Sequence, residues 1–220
     1  MTGVYVNLGE KNTTFVATDG HRLVRYRRTD VKSDNGNAII IPRKALNLLK
    51  ATLPAENTDV SLSFNMSNAF FKFGNIRMIC RLIDERFPDY ENVIPSGNNI
   101  KMTISRADLL GALKRISIYA NKTTHQVRLK ITGSELQISA EDLDFSNEAN
   151  ERLSCEHENE DIEIGFNAKF LVEMLSNMDS DQIRLTMSAP NKAGVILPAE
   201  KDKSEDILML VMPVMLNQYV

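Results

Sequence analysis

The chain has 220 residues, of which 43% are hydrophobic, and a formal net charge of −3. This length suits one large or two ordinary domains. The near-neutral charge excludes a general attraction to nucleic acid, so any DNA contact must come from a local basic surface or from topology. The apolar runs are too short to cross a bilayer and no leader opens the chain, which indicates a cytoplasmic protein. Neither Cys80 nor Cys155 has metal-ligand spacing, so both are expected to be reduced thiols.

Several short stretches carry apolar residues at every second position, which is typical of half-buried antiparallel strands. They are Val4-Val6-Leu8, Val60-Leu62-Phe64, Ile76-Met78-Cys80-Leu82, Val127-Leu129-Ile131, Leu136-Ile138-Ala140 and Ile183-Leu185-Met187. Turn-forming residues break the pattern at 9–12, 34–37, 132–134 and 190–194. The alternation therefore predicts hairpins.

Three segments change to helical spacing, and each starts with a residue suited to the first turn of a helix. The starting residues are Pro42, Ser105 with Asp108 three positions later, and Asn167. The apolar positions that follow are Leu46, Leu49 and Leu53, then Leu109, Leu113, Ile116 and Ala120, and last Phe170, Leu171, Met174, Leu175 and Met178. Helices mixed with many antiparallel strands predict an α+β fold.

The order of these elements repeats at a spacing of roughly 120 residues, which indicates duplicated domains. Residues 4–18 match 127–140, residues 39–53 match 162–178, and residues 60–82 match 183–212. The turn-rich run at 94–99 is typical of a linker. Only the second copy has a strand and a helix, residues 101–120, before its hairpin. We therefore expect the first copy to lack its opening elements and the chain to be part of a longer protein.

Some runs are more specific than the periodicity. They are ATDGHRL at 17–23, IPRK at 41–44, RFPDY at 86–90, IGFN at 164–167 and VMP at 211–213. In this order and spacing the chain resembles the β subunit of the bacterial replicative DNA polymerase, DNA polymerase III, which is the β sliding-clamp family. The resemblance covers essentially the whole chain.

The resemblance implies the DNA-clamp fold, in which tandem repeated domains of antiparallel sheets carry helices on one face. Family members have three such domains, and two protomers close head to tail into a ring around duplex DNA. Residues 1–95 then correspond to most of the middle domain and residues 96–220 to the third domain. Because the family's ring joins a third domain to a first domain, we expect this chain alone not to close into a ring.

The resemblance also implies a DNA-replication processivity factor that has no catalytic activity and no cofactor. Its partners would be duplex DNA, held without sequence readout, and the replicative polymerase α subunit, the clamp loader and repair polymerases, which bind through short linear motifs. No membrane is implied.

In the family the helices line the hole of the ring, which gives this chain a set of candidate DNA-facing residues. They are Arg43, Lys44, Lys50, Arg106, Lys114, Arg115 and Lys169. Lys44 is the strongest candidate, because family members place a lysine near DNA at this helix start. The others are equally well explained as solvated helix charges.

A second surface implied by the resemblance is a hydrophobic cleft that captures the linear motifs. Matched residue by residue, it comprises Thr18, Gly20, His21, Arg22 and Leu23, then Pro88 and Val93, then Asn167 and Phe170, and finally Val211, Met212, Pro213 and Val214. A flexible methionine beside a rigid proline suits several peptide side chains, while Asn167 and backbone groups suit the peptide's polar atoms. The alternative interpretation is that residues 211–213 are only a core strand ended by proline.

Three positions depart from the family pattern. Many members have an aromatic phenol where this chain has Phe170, an aromatic side chain at the lip where it has Thr124, and an arginine where it has Met215. The chain also continues past Leu216 with residues 217–220. These differences leave the peptide-motif preference open.

Two other functions are compatible with parts of the sequence. A hydrolase could use Asp19 and His21 as an acid–base pair with Cys80 or a serine as nucleophile, but no nucleophile elbow or glycine-rich phosphate loop accompanies them. A peptide-binding adaptor that never encircles DNA is the second alternative, which the absence of a first domain favours. Met1 matches an internal apolar residue of the family, and this match favours a fragment of a ring-forming clamp.

Overall fold

The computed structural model describes residues 2–33, 36–200 and 202–216. The chain divides into two compact units. The first comprises Met1–Ala17, Arg25–Asp89 and Lys203–Asp206, and the second comprises Thr18–Val24, Tyr90–Asp202 and Ile207–Val220. Met1, two residues of the predicted turn at 34–37 (Asp34 and Asn35) and the tail at 217–220 lie outside the described residues.

The first unit contains two antiparallel sheets and one helix. Its elements are β1 (Gly3–Leu8), β2 (Thr13–Thr18), β3 (Arg22–Arg28), β4 (Asn37–Pro42), α1 (Arg43–Thr52), β5 (Ser61–Phe64), β6 (Asn68–Phe73) and β7 (Ile76–Arg81). One sheet has the order β3-β2-β1-β4 and the other β5-β6-β7. Thr18 at the end of β2 and residues 22–24 of β3 belong to the second unit. The predicted turn at 9–12 joins β1 to β2, where Gly9 N–H donates to the Asn12 carbonyl at 3.0 Å.

The second unit has the same kind of layers with more elements. They are a short 3-10 helix (Glu91–Val93), β8 (Ile100–Ser105), α2 (Arg106–Ile116), β9 (Gln126–Thr132), β10 (Glu135–Asp142), β11 (Asn147–Ser154), β12 (Glu156–Glu158), β13 (Ile162–Asn167), α3 (Ala168–Ser176), β14 (Gln182–Met187), β15 (Gly194–Pro198) and β16 (Glu205–Val211). One sheet has the order β12-β8-β14-β15-β16 and the other β11-β10-β9-β13. The first two residues of β16 belong to the first unit.

The internal repeat predicted from the sequence is present in this topology. Strand β1 pairs with β2 and β4 in the first unit, as β9 pairs with β10 and β13 in the second. A helix follows β4 and β13, and a three-stranded meander follows each helix. Strand β8 and helix α2 have no counterpart among the described residues of the first unit. The predicted α+β fold, with tandem repeats of antiparallel sheets, is confirmed.

The two predicted helix caps of the second unit are confirmed. Ser105 Oγ accepts from Asp108 N–H at 3.3 Å, and Asn167 Oδ1 accepts from Lys169 N–H at 3.0 Å. The prediction for Pro42 is wrong by one position: it ends β4 and precedes the first helical residue, with ψ 140°. Its pairing with Gly3 on β1 keeps Pro42 extended.

Each unit has its own apolar core. In the second unit, helices α2 and α3 contact each other, and their Leu109, Leu113, Leu171 and Leu175 are buried in a cluster with the alternate residues of β8, β9, β10, β13 and β14. In the first unit the buried cluster is smaller, and Ala45 is the buried residue of α1. Its members are Val6, Ile39, Ile41, Ala45, Ala69 and Phe71.

Candidate functional site

The Thr18–Val24 segment contains the turn that joins β2 to β3, and the shape of this turn is set by its own side chains. Asp19 Oδ1 accepts from the N–H groups of His21 and Arg22, both at 3.0 Å. Thr18 Oγ1 donates to the Arg22 carbonyl at 2.8 Å and accepts from Gly20 N–H at 3.1 Å. Gly20 has φ +88°, a conformation that side chains disfavour. The ATDGHRL run therefore encodes an ordered turn.

Arg22 joins this turn to helix α3. Its Nε donates to Asp19 Oδ2 at 2.9 Å and its Nη1 to Glu173 Oε2 at 2.8 Å. Its Cζ lies 4.6 Å from the centre of the Phe170 ring, within the range of a cation–π contact. The His21 ring is tilted by 44° relative to the Phe170 ring, with centroids 6.1 Å apart. Phe170 thus has two neighbours in the turn, and Arg22 is the one placed over its ring.

The ionisation of the Asp19–Arg22 pair follows from these contacts. Burial raises the pKa of Asp19, but hydrogen bonds from Arg22 and from the backbone outweigh burial and leave this pKa below its ordinary value. Burial lowers the pKa of Arg22, but the hydrogen bonds with Glu173 and Asp19 outweigh it and raise that pKa. Both groups are therefore charged at neutral pH.

The C-terminal segment, residues 211–214, forms a second side of the site. Val211 is fully buried, whereas Met212 is 43% exposed. Met212 N–H donates to the His21 carbonyl at 2.8 Å, and Val214 N–H donates to the Gly165 carbonyl at 2.8 Å. A Cβ at Gly165 would lie only 2.4 Å from the Val214 carbonyl oxygen, so glycine is required for this close approach.

Asn167 fixes the start of α3, where it meets this site. Its Oδ1 accepts from the N–H groups of Lys169 and Phe170, and its Nδ2 donates to the Thr124 carbonyl at 3.2 Å. Both ends of the Asn167 amide thus have partners inside the second unit. The geometry gives Asn167 a role in orienting Phe170.

Most residues of the cleft predicted from the resemblance belong to the second unit. They are Thr18, Gly20, His21, Arg22, Leu23, Asn167, Phe170, Val211, Met212, Pro213 and Val214. Leu23 is buried, while Pro213 and Val214 are half-buried. Val93 is exposed in the 3-10 helix of the same unit, and Pro88 is exposed in the first unit.

The candidate DNA-facing residues are distributed over all three helices. Arg43, Lys44 and Lys50 are exposed on α1, Lys114 and Arg115 on α2, and Lys169 on α3. Arg115 forms an ion pair with Glu151.

Arg106 differs from the other residues in this set. Its Nε donates to the Ser180 carbonyl at 2.7 Å and its Nη1 to the Leu175 carbonyl at 3.2 Å. The guanidinium thereby binds the end of α3, which gives Arg106 a structural role.

Sequence reasoning missed Glu173 and Gly165 as contributors to the site. Glu173 lies three residues after Phe170 on α3, a spacing that places both side chains on one helix face. Gly165 belongs to the recognised IGFN run, but the close approach of residues 211–214 has no local signature.

The catalytic interpretation gains no support from the cysteines. Burial raises the pKa of the Cys80 thiol and of the Cys155 thiol, which keeps both protonated and weakly nucleophilic near neutral pH. Within residues 2–33, 36–200 and 202–216, no three His, Cys, Asp or Glu side chains are grouped as a metal site would need. No helix in these same ranges is long and apolar enough to span a membrane.

The architecture, a repeated antiparallel α+β unit, is that of DNA sliding clamps. The sequence matches the model of the DNA polymerase III beta subunit central domain over residues 1–89 and that of its C-terminal domain over residues 91–214. The chain belongs to the DNA polymerase III β-subunit family.

Individual relatives agree with this assignment. The beta sliding clamp of Pseudomonas putida is 29% identical over 210 residues, which are 95% of this chain and 57% of the relative. That of Synechocystis sp. is 30% identical, over 98% of this chain and 58% of the relative. A crystal structure of the DNA polymerase sliding clamp from Pseudomonas aeruginosa has a TM-score of 0.92 and 28% identity, covering 98% of this chain and 59% of that chain. A DnaN sliding clamp of the same species bound to griselimycin has a TM-score of 0.91 at 28% identity, covering 98% of this chain and 57% of that chain.

Proposed function

We propose that this chain carries the partner-binding part of a DNA sliding clamp. The observation that supports this most is the convergence of the Thr18–Val24 turn, Phe170 and residues 211–214 in one unit. An exposed methionine lies there beside a proline, an aromatic ring and hydrogen-bonded backbone. Such a surface suits the apolar side chains of short linear motifs from the replicative polymerase α subunit, the clamp loader and repair polymerases.

We further propose that DNA is held by the ring of the whole protein. The chain spans 57% of the length of the Pseudomonas putida relative, so ring closure belongs to the longer form. We assign residues 1–95 to the middle clamp domain and residues 96–220 to the third. A ring tethers DNA by linkage, so weak, sequence-independent contacts from exposed cations such as Lys44 suffice and permit sliding. The role is non-catalytic, requires no cofactor and is cytoplasmic.

Calorimetric titration of a short polymerase-tail peptide tests the peptide site. Changing Met212 and Pro213 together to alanine should weaken binding by about 2 kcal/mol or more, because central apolar contacts are lost while folding near the chain end survives. Lys44→Ala is the control, and we expect it to leave peptide affinity unchanged. Equal affinity of the double variant and the parent would mean that the site is wrongly placed.

Griselimycin is a second probe, since it is bound to two of the clamps that share this fold. We expect it to bind this chain and to compete with the peptide. Binding without competition would contradict a shared site.

A further inference from the structure

We propose that Glu173 is a positioning residue for the peptide site, because it holds the Arg22 guanidinium on the Phe170 ring. The proposal rests on the proposed function, since it assigns a role within the same site. Glu173 contributes to affinity by ordering this side of the site before a peptide arrives.

The exposures of the three charged side chains show which of them is held. The Arg22 side chain is 22% exposed, whereas those of Asp19 and Glu173 are 45% and 64% exposed. The less accessible guanidinium is therefore fixed between two more accessible carboxylates. Because the guanidinium is planar, bonds at Nε and Nη1 together define the orientation of its plane over the ring.

The position of Glu173 on its helix explains how the pair acts on Phe170. Phe170 and Glu173 are three residues apart on α3, so the helix presents the ring and the carboxylate as neighbours. Asp19 belongs to the turn itself and holds Arg22 locally, whereas Glu173 is the link from the turn to α3.

The same turn is bonded to the C-terminal segment through the His21 carbonyl and Met212 N–H. The Arg22–Glu173 ion pair and this backbone hydrogen bond together connect α3, the turn and residues 211–214. A binding surface that is ordered in advance loses less conformational entropy when a ligand binds. Loosening Arg22 should therefore reduce affinity even if the peptide never touches Glu173.

Glu173→Gln tests this inference against a matched control, Glu151→Gln. Both substitutions remove one negative charge and one arginine ion pair from the second unit, but Glu151 pairs with Arg115 on α2. For an exposed pair we expect about a threefold loss of peptide affinity in Glu173→Gln. We expect none in Glu151→Gln. Glu173→Asp should recover part of the loss. Equal affinity of the parent and Glu173→Gln overturns the proposal.

The salt dependence of peptide affinity is a second test, because it should differ between parent and variant only if the ion pair contributes to peptide binding. Added salt screens an exposed ion pair, so affinity of the parent should fall toward that of Glu173→Gln, while the variant should respond less. Parallel salt dependences of parent and variant would count against the proposal.

A measurement without peptide separates this inference from the proposed function. Ring currents of Phe170 should shift the NMR resonances of the Arg22 side chain, and Glu173→Gln should move them toward unstacked values. If no variant binds peptide, the parent included, the proposed function fails while this shift is still testable. Unchanged Arg22 resonances in Glu173→Gln overturn the positioning role whatever the peptide does.

Discussion

The two units repeat part of one strand order but bury their apolar side chains to different extents. In the second unit, α2 packs against β10 and β11 with Leu109 and Leu113 buried. In the first unit, where the described residues contain no counterpart of this helix, Leu46 and Leu49 on α1 are only half-buried. The same strand pattern thus forms two cores of different size, because burial depends on the layer that covers a sheet.

This difference should appear as a difference in stability. Apolar area removed from water is the main favourable term in folding, so the second unit should be the more stable of the two.

The largest expected effect is that of Leu113→Ala in the second unit. Leu113 is fully buried, so the substitution should cost about 3 kcal/mol in unfolding free energy through lost burial and a residual cavity. Leu49→Ala in the first unit should cost about 1 kcal/mol, because Leu49 is already partly exposed. Denaturant unfolding of both variants measures the difference, and equal losses would contradict the comparison of the two cores.

A second pair of substitutions separates folding from binding. Alanine at Gly165 would crowd the Val214 carbonyl, and alanine at Gly3 would crowd the Ile41 carbonyl at 2.8 Å. Each should cost about 2 kcal/mol of stability by overpacking. Only Gly165→Ala should also weaken peptide binding, by about tenfold, because it displaces residues 211–214. Loss of peptide binding in Gly3→Ala would show that affinity merely follows overall stability.

Amide hydrogen exchange should rank the equivalent meanders of the two units. Strand β5 is an edge strand in the first unit, whereas β14 lies between β8 and β15. We expect amides of β5–β7 to exchange about ten times faster than those of β14–β16, since local opening is easier where fewer apolar contacts are lost. Equal protection in the two meanders would mean that other contacts stabilise β5–β7 against local opening.

The smallest expected effect is a pH dependence of the turn at the site. The pKa of Asp19 is lowered from its ordinary value of 3.8, so its stabilisation of the turn is present above 3.8 and is lost as the pH falls through the lowered value. Exchange of the His21 and Arg22 amides should therefore accelerate in acid beyond the intrinsic change. In Asp19→Asn this additional step should vanish, and its persistence would assign it to another group.

Features with local causes were predictable from the sequence. The Ser105–Asp108 and Asn167 caps join residues two or three positions apart, so their spacing along the chain is sufficient to identify them. Alternation predicted β1, β9, β10 and β14 for the same reason, since side chains of a strand point to alternate faces. The α+β class and the repeat follow from these local patterns and their order.

Features with distant causes were decided by the tertiary structure. Arg22 and Glu173 are 151 residues apart, and Arg106 is 74 residues from Ser180, so no local pattern could pair them. The requirement for glycine at position 165 exists only because the Val214 carbonyl approaches it. The sequence by itself determined the alternating strands, the three helices, their repeat and the runs that mark the family. Only folding decided which charges meet and which backbone segments touch, because those contacts depend on long-range packing.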